Sequence, residues 1–243
     1  MNISFAAVEP HGSFSDLMRD RSGFQHAFNR SLAAEPGVRG RVLDIGCSAA
    51  IPHFLPAIGT LPRQLDGVDP DPVVLNHPHL TMRWHSRFED APIPVEAYDL
   101  AYAYNVVEHV ADPIPFLTRV HMILKPGGVF WALTPSSAHP FAWLTRSIER
   151  MGLKGTMREN LQHPELGYTV NPYTSYYRLN RPGQVLRAAG KIPFRSVEFH
   201  WFPCLQWDTY FPRVLRWLPR LYDFSLGIRW RRAMQIFAFR LEK

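Results

Sequence analysis

The chain has 243 residues, 46% of them hydrophobic and 20% charged, a balance that excludes a disordered or fibrous polymer and suits one large α/β domain. A formal net charge of +6 admits an anionic partner (nucleotide, phospholipid surface, acidic substrate or nucleic acid) without choosing among them. Two cysteines, Cys47 and Cys204, are too few for a disulfide framework and are not spaced as a metal site, so no metal is expected.

No run approaches the roughly 18 apolar residues of a membrane-spanning helix. Met1 to Pro10 has no basic flank followed by an apolar run, so no secretory signal is expected and the reading is a soluble, cytoplasmic protein.

In chain order, Phe14, Leu17, Met18, Phe24, Ala27, Phe28 and Leu32 recur at helical spacing, with Ser13 and Asp16 placed as a capping pair. Residues 1–37 are therefore read as an N-terminal helical lid. Arg41 to Ile45 is a short apolar run closed by Gly46, which predicts a buried strand. Leu65 to Val68 predicts a second, followed by Asp71 as the cap of a helix beginning at Pro72. Thr81 to His85 and Tyr98 to Tyr104 come next as strands, then a helix over Pro113 to Leu124. Lys125-Pro-Gly-Gly128 predicts a turn into a fifth strand, Val129 to Leu133. Strands alternating with helices imply a parallel sheet with right-handed crossovers. Beyond Thr134 the pattern predicts helices at His139 to Met151 and Pro182 to Ala189, and strands near Arg195 to Phe202 and Ala233 to Arg240. The whole chain, 1–243, reads as a single domain with a core at 38–135 and insertions at 152–181 and 205–232.

The chemistry concentrates where strands end. Gly46 lets the backbone turn sharply and approach a ligand with no side chain in the way. Asp44 can accept hydrogen bonds from turn amides or a ligand amine. Asp69 stands 25 positions on from Asp44, at the end of the second strand, where a carboxylate can chelate two ribose hydroxyls. Taken alone, these residues are equally an ordinary strand-turn-helix with a capping Asp.

They stand with others in order: Val42 to Gly46, Gly67-Val-Asp69, Tyr98-Asp-Leu100, Asn105-Val-Val-Glu-His-Val110 with Ala111-Asp-Pro113, and Leu124-Lys-Pro-Gly-Gly-Val129. This set resembles the class I S-adenosylmethionine-dependent methyltransferases, particularly the group of ubiquinone-pathway and similar small-molecule enzymes. The resemblance spans about Val38 to Pro135, with a weaker echo from Tyr173 to Phe202. A NAD-binding Rossmann domain would not explain the Glu-His-Val and Lys-Pro-Gly-Gly pieces. The resemblance implies a Rossmann-like three-layer α/β sandwich with a seven-stranded, mostly parallel sheet whose last strand is antiparallel. It implies S-adenosyl-L-methionine as cofactor, its methionine moiety on Asp44 and Gly46 with Cys47 and Ser48, and its ribose on Asp69 beside Pro70. Arg87-Phe88-Glu89 would border the adenine, and Asn105 would begin the loop beside the transferable methyl.

The chain departs from the family in three places. Ser48 and Ala50 stand where the loop normally has glycine, Pro52 and Pro56 fall in the first helix, and Arg87 replaces an acidic residue often found at the adenine edge.

Methyl transfer requires an aligned nucleophile and, where that nucleophile is protonated, a base. His109 follows the fourth strand and can be that base; equally, Glu108 and His109 can organise a helix start. His163, Tyr173, Tyr176, Tyr177 and Arg178 lie in the first insertion, which either builds the acceptor pocket, with Tyr177 as a catalytic candidate, or packs itself down. Nucleic acid is not the expected acceptor. The Asn/Asp-Pro-Pro-aromatic run of amino-methylating DNA enzymes is replaced by Asn105-Val-Val-Glu108, and Cys204 lies too late for a cytosine-C5 nucleophile. Asn105 does not supply the charge of a metal-binding Asp. The preferred reading is O-methylation of a small-molecule or carbohydrate-like acceptor. The alternatives are an RNA-directed methyltransferase, and a non-catalytic cofactor-binding or partner module suggested by the altered glycine loop.

In the second insertion Arg213, Arg216 and Arg220 share one helical face, with Val214, Leu218 and Leu221 on the other. Such a helix can lie on an anionic membrane. The preferred account is a solvated basic face with the apolar stripe packed on the sheet. Oligomeric state is left open.

Overall fold

The computed structural model describes residues 1–5, 23–48, 58–152, 173–202, 208, 211, 213–223, 225, 230 and 234–243. The capping pair Ser13 and Asp16, the loop positions Ala50, Pro52 and Pro56, and His163 and Cys204 lie outside these residues.

Eight strands form one sheet: β1 (Asn2–Phe5), β2 (Arg41–Ile45), β3 (Gln64–Asp69), β4 (Arg83–His85), β5 (Tyr98–Tyr104), β6 (Leu124–Pro135), β7 (Ser196–Phe202) and β8 (Ile236–Glu242). Their spatial order is β1-β7-β8-β6-β5-β2-β3-β4. All neighbours pair in parallel except β8, which runs antiparallel to both β6 and β7. The Rossmann-like α/β architecture and its antiparallel last strand are therefore as expected.

One strand more is present than the expected seven, and it corrects the reading of residues 1–37 as helical. Asn2–Phe5 pairs along β7, and the amide of Asn2 donates to the Arg195 carbonyl at 2.8 Å. On this edge Phe5 stacks on Phe199 at 5.4 Å.

Five α-helices lie among the described residues: α1 (Gly23–Ala34), α2 (Pro113–Ile123), α3 (Pro140–Arg150), α4 (Pro182–Ala189) and α5 (Trp217–Tyr222). Phe28 and Leu32 of α1 are buried on one sheet face with Leu100, Tyr102, Trp131 and Ala238. Phe116, Leu117 and Val120 of α2 and Val185 and Ala189 of α4 are buried on the other face with Phe130, Phe199 and Phe239. The sheet is thus covered on both sides, which is why its inner strands read as continuous apolar runs.

Two local predictions are refined. Asp71 caps as expected, accepting from the Val73 amide at 2.9 Å with Pro72 in the first turn, but the element is a short 3-10 helix, Pro72–Asn76. The Lys125–Gly128 turn is a bulge within β6: Tyr98 faces Leu124, while Leu100, two residues on, faces Val129. Gly127 takes φ +77°, the left-handed conformation that this turn requires and glycine adopts freely.

A third expectation is overturned. The apolar stripe of Val214, Leu218 and Leu221 is not packed on the sheet; all three are exposed. Pro219 is buried instead, and two arginines of the segment have polar anchors. Arg220 Nε bonds the buried Asp208 carboxylate at 2.8 Å, and Arg216 Nε donates to the Phe211 carbonyl at 3.2 Å.

Candidate active site

The chain leaves β2 toward β3 on one side and returns to β5 on the other, so the strand order reverses between β2 and β5. In open α/β sheets the ligand crevice lies outside the carboxyl ends of the strands at such a switch point. Gly46, Asp69, Asn105 and the segment after β5 all stand at that end.

Gly46 follows β2 with φ +76°, and its amide donates to the Val68 carbonyl at 2.8 Å. A Cβ there would run into Cγ2 of Val106, so the close approach of the two strand ends depends on the missing side chain. Ser48 also lies in the left-handed region, φ 50°, and its amide donates to Asp69 Oδ2 at 2.8 Å. The Asp71 amide donates to Asp69 Oδ1, also at 2.8 Å. Asp69 is thus clamped by two backbone amides while each oxygen keeps a lone pair for a further donor. Two ribose hydroxyls match those lone pairs in chemistry and number.

Asp44 is buried, and the Tyr102 hydroxyl donates to its Oδ2. Burial pushes the Asp44 carboxyl up to about 7, and repulsion from Asp69 adds to this, against the Tyr102 hydrogen bond. A ligand ammonium placed there would meet a carboxyl poised to ionise. Cys47 is buried and its thiol is pushed up by burial and by Asp44 and Asp69, which makes it an inert wall rather than a nucleophile.

The adenine-side residues divide. Phe88 is buried in the core, edge-on to Phe116 at 5.1 Å, and belongs to the packing beneath the site. Glu89 is half-buried and pairs with Arg87 at 3.7 Å. Pro70 offers its carbonyl to His85 Nε2 at 3.1 Å.

After β5, Asn105 adopts φ 54° and its amide donates to the Leu133 carbonyl at 2.8 Å. The 3-10 turn Val107–His109 comes next. Its Glu108 carbonyl accepts the amides of Tyr176 at 2.7 Å and Tyr177 at 3.0 Å, which binds residues 173–178 to the end of β5. The buried Glu108 carboxyl accepts from the Thr134 hydroxyl at 2.8 Å, and Asn180 Nδ2 donates to that hydroxyl oxygen at 2.7 Å. Burial raises the Glu108 carboxyl, against the attraction of His109. Glu108 is therefore the organiser of this end of the sheet.

His109 is half-buried. Its Nδ1 lies 2.9 Å from the Thr174 carbonyl, which can only accept, so Nδ1 carries the proton and Nε2 of the neutral ring presents a lone pair. The Tyr173 ring is 6.0 Å away. Burial and the nearby carboxylates of Asp69 and Asp71 push the Tyr173 phenol up. Tyr177 is buried with the Arg146 guanidinium 5.2 Å over its ring, whereas Tyr176 is exposed beneath Arg178. Arg178 donates to the Ala111 carbonyl at 2.6 Å.

Sequence reasoning missed Tyr102, Thr134 and Asn180. Tyr102 sits directly opposite Asp44 across the β2–β5 pair, a relationship readable only once the strand order is known. No local pattern marks Thr134 or Asn180.

A mostly parallel sheet with a glycine elbow and a buried carboxylate at its switch point defines a Rossmann-like α/β fold. A family model described as "Methyltransferase domain" matches residues 18–178, well over half of the chain. The chain belongs to this family, in the class I, S-adenosylmethionine-dependent group. A ubiquinone biosynthesis O-methyltransferase of Cereibacter sphaeroides is 34% identical over 137 residues, 49% of this chain and 55% of that protein. A probable S-adenosylmethionine-dependent methyltransferase of Mycolicibacterium smegmatis is 30% identical over 100 residues, 39% of this chain and 38% of that one. These matches span about half or less of the curated relatives' lengths. The crystal structure of a SAM-dependent methyltransferase from Archaeoglobus fulgidus superimposes with a TM-score of 0.56 at 16% identity, covering 95% of this chain and 100% of that chain, and so shares the fold.

Proposed function

We propose that the chain methylates an oxygen of a small-molecule acceptor, with His109 as the general base. The observation that carries this reading is the His109–Thr174 hydrogen bond, which orients the ring and leaves Nε2 as an acceptor beyond the carboxyl end of β5. The ubiquinone-pathway relatives, named as O-methyltransferases, support oxygen as the receiving atom.

Asp69 would hold the cofactor ribose, Asp44 its ammonium, and Gly46 and Ser48 the backbone around it. The cofactor, when bound, would supply a methyl group on a sulfonium: the acceptor oxygen would attack that carbon in line as the carbon–sulfur bond breaks and S-adenosylhomocysteine leaves. His109 Nε2 takes the hydroxyl proton as the acceptor oxygen forms its new bond to carbon, and Thr174 steadies the resulting imidazolium through Nδ1. Tyr173 and Tyr176 supply exposed aromatic surface for the acceptor, while Tyr177, buried under Arg146, positions the segment that carries them.

The test is production of S-adenosylhomocysteine by the full chain over a panel of hydroxylated small molecules, for wild type and His109→Gln. Turnover that falls at least tenfold, with S-adenosylhomocysteine affinity unchanged, supports His109 as base; general-base contributions are about 10²–10⁴-fold. Equal turnover by the variant removes that role. A non-catalytic module is the second reading, favoured by Ser48 holding a positive φ where glycine is easier; cofactor binding without turnover across the panel would establish it.

A further inference from the structure

We propose that α5 and the 3-10 turn Arg213–Leu215 before it form a docking surface for an anionic lipid bilayer. Val214, Leu218 and Leu221 follow one another at i, i+4 and i+7, with Trp217 beside them, and form a single stripe along this short helical segment. Their side chains are 79%, 43%, 54% and 58% exposed in that order, although a helix that completes a soluble fold turns such a stripe inward.

The inversion is built in. Pro219, on the opposite side, is buried, and Arg220 is tied to the buried Asp208 at 2.8 Å, so the segment is anchored with its apolar stripe outward. The ring of Tyr222 stands edge-on to His139 at 5.1 Å, which seats the end of α5 beside the start of α3. One turn into α3, Trp143 is exposed, as is Trp230 beyond α5. Tryptophan with aliphatic neighbours is the composition that settles at the boundary between headgroups and acyl chains.

Charge selects the occupant. Residues 205–232 contain six arginines and two acidic residues, Asp208 and Asp223. Both acids are buried, Asp208 against Arg220, while Arg213 is exposed at the edge of the stripe. A second copy would set arginine against arginine with no exposed carboxylate from the same segment to pair them, whereas an apolar stripe edged by arginine complements anionic headgroups over acyl chains. This proposal does not depend on the methyl-transfer reading.

The test is co-sedimentation of the full chain with vesicles of phosphatidylcholine alone and of equimolar phosphatidylglycerol and phosphatidylcholine. Wild type should pellet with the mixed vesicles, less at higher salt, and stay in solution with phosphatidylcholine. Trp217→Ser combined with Leu218→Ser, both exposed, should abolish pelleting while the thermal midpoint is kept. Arg213→Gln, a milder change, should weaken it about fivefold, the worth of one basic residue at an anionic surface. Wild type that stays in solution with both vesicles, or variants that pellet as wild type does, would overturn the proposal. So would a wild-type dimer in solution that the double variant converts to monomer, because the stripe would then belong to a second copy.

Discussion

The amide of Ser48 donates to Asp69 Oδ2 at 2.8 Å, joining the loop after β2 to the end of β3 and fixing the carboxylate's orientation before any ligand arrives. Such preorganisation lowers the ordering cost of binding. Asp69→Ala should weaken S-adenosylhomocysteine binding by about 1–3 kcal/mol, the usual loss for a charge-assisted hydrogen-bond partner, and calorimetry reads it directly. Unchanged affinity would mean that the carboxylate serves the loop alone.

Gly46→Ala should be more severe. The new Cβ needs φ +76° and occupies the space of Val106 Cγ2, so either strand end must move. The left-handed backbone alone costs about 1–2 kcal/mol for a residue with a Cβ. The expected outcome is a lowered melting temperature with S-adenosylhomocysteine binding lost in protein that circular dichroism shows to be folded. Wild-type binding by the variant would show that the strand ends can separate freely.

Asp44 predicts a pH dependence. Its folded carboxyl is raised from the ordinary 3.8 to about 7, so the folded protein keeps a proton that the unfolded chain loses within that window. Stability from this group therefore falls as pH rises between those values. Binding of a ligand ammonium favours the ionised form, so S-adenosylhomocysteine affinity should increase as pH passes through about 7. Asp44→Asn should bind more weakly and with a flatter profile; a profile as steep as wild type would assign the titration to another group.

His200 predicts the opposite slope. It is buried on β7, tilted against Trp131 at 4.8 Å, and among the described residues neither ring nitrogen has a hydrogen-bond partner. Burial, helped by Arg240 and opposed by Glu35, holds it down to about 4. As pH falls from the ordinary 6.5 toward that value, the unfolded chain takes up a proton that the folded one refuses, and stability is lost. His200→Phe keeps the ring contact and removes the two nitrogens without hydrogen bonds, together with the 3.8 Å approach of Nε2 to Glu198. Thermal melts should show a gain of about 1 kcal/mol near neutrality and a shallower decline in acid. A destabilised variant would mean that the nitrogens are satisfied by water.

Strand ends and turns were legible in the sequence because their signals are local. A buried strand must be an apolar run, Gly46 must stand where the backbone turns, and Asp71-Pro72 must cap the helical turn after β3. The ordered motifs from Val42 to Val129 likewise pointed to the family and to Asp44, Asp69 and His109 as neighbours at one end of a sheet. Tertiary structure decided whatever depends on partners distant in sequence. Asn2–Phe5 is a strand only because β7 offers an edge, 194 positions on in the register of Asn2 with Ser196. Phe88 is buried because Phe116 lies against it. Glu108 is an organiser because Thr134 and Asn180 arrive from other elements to satisfy a buried carboxyl that could not otherwise stay there. The helix after Arg213 has the periodicity of a packed amphipathic element whichever way it faces. Its direction is known only from its tertiary partners: Pro219 is buried, Arg220 pairs with Asp208 and Tyr222 meets His139, while the apolar stripe stays exposed.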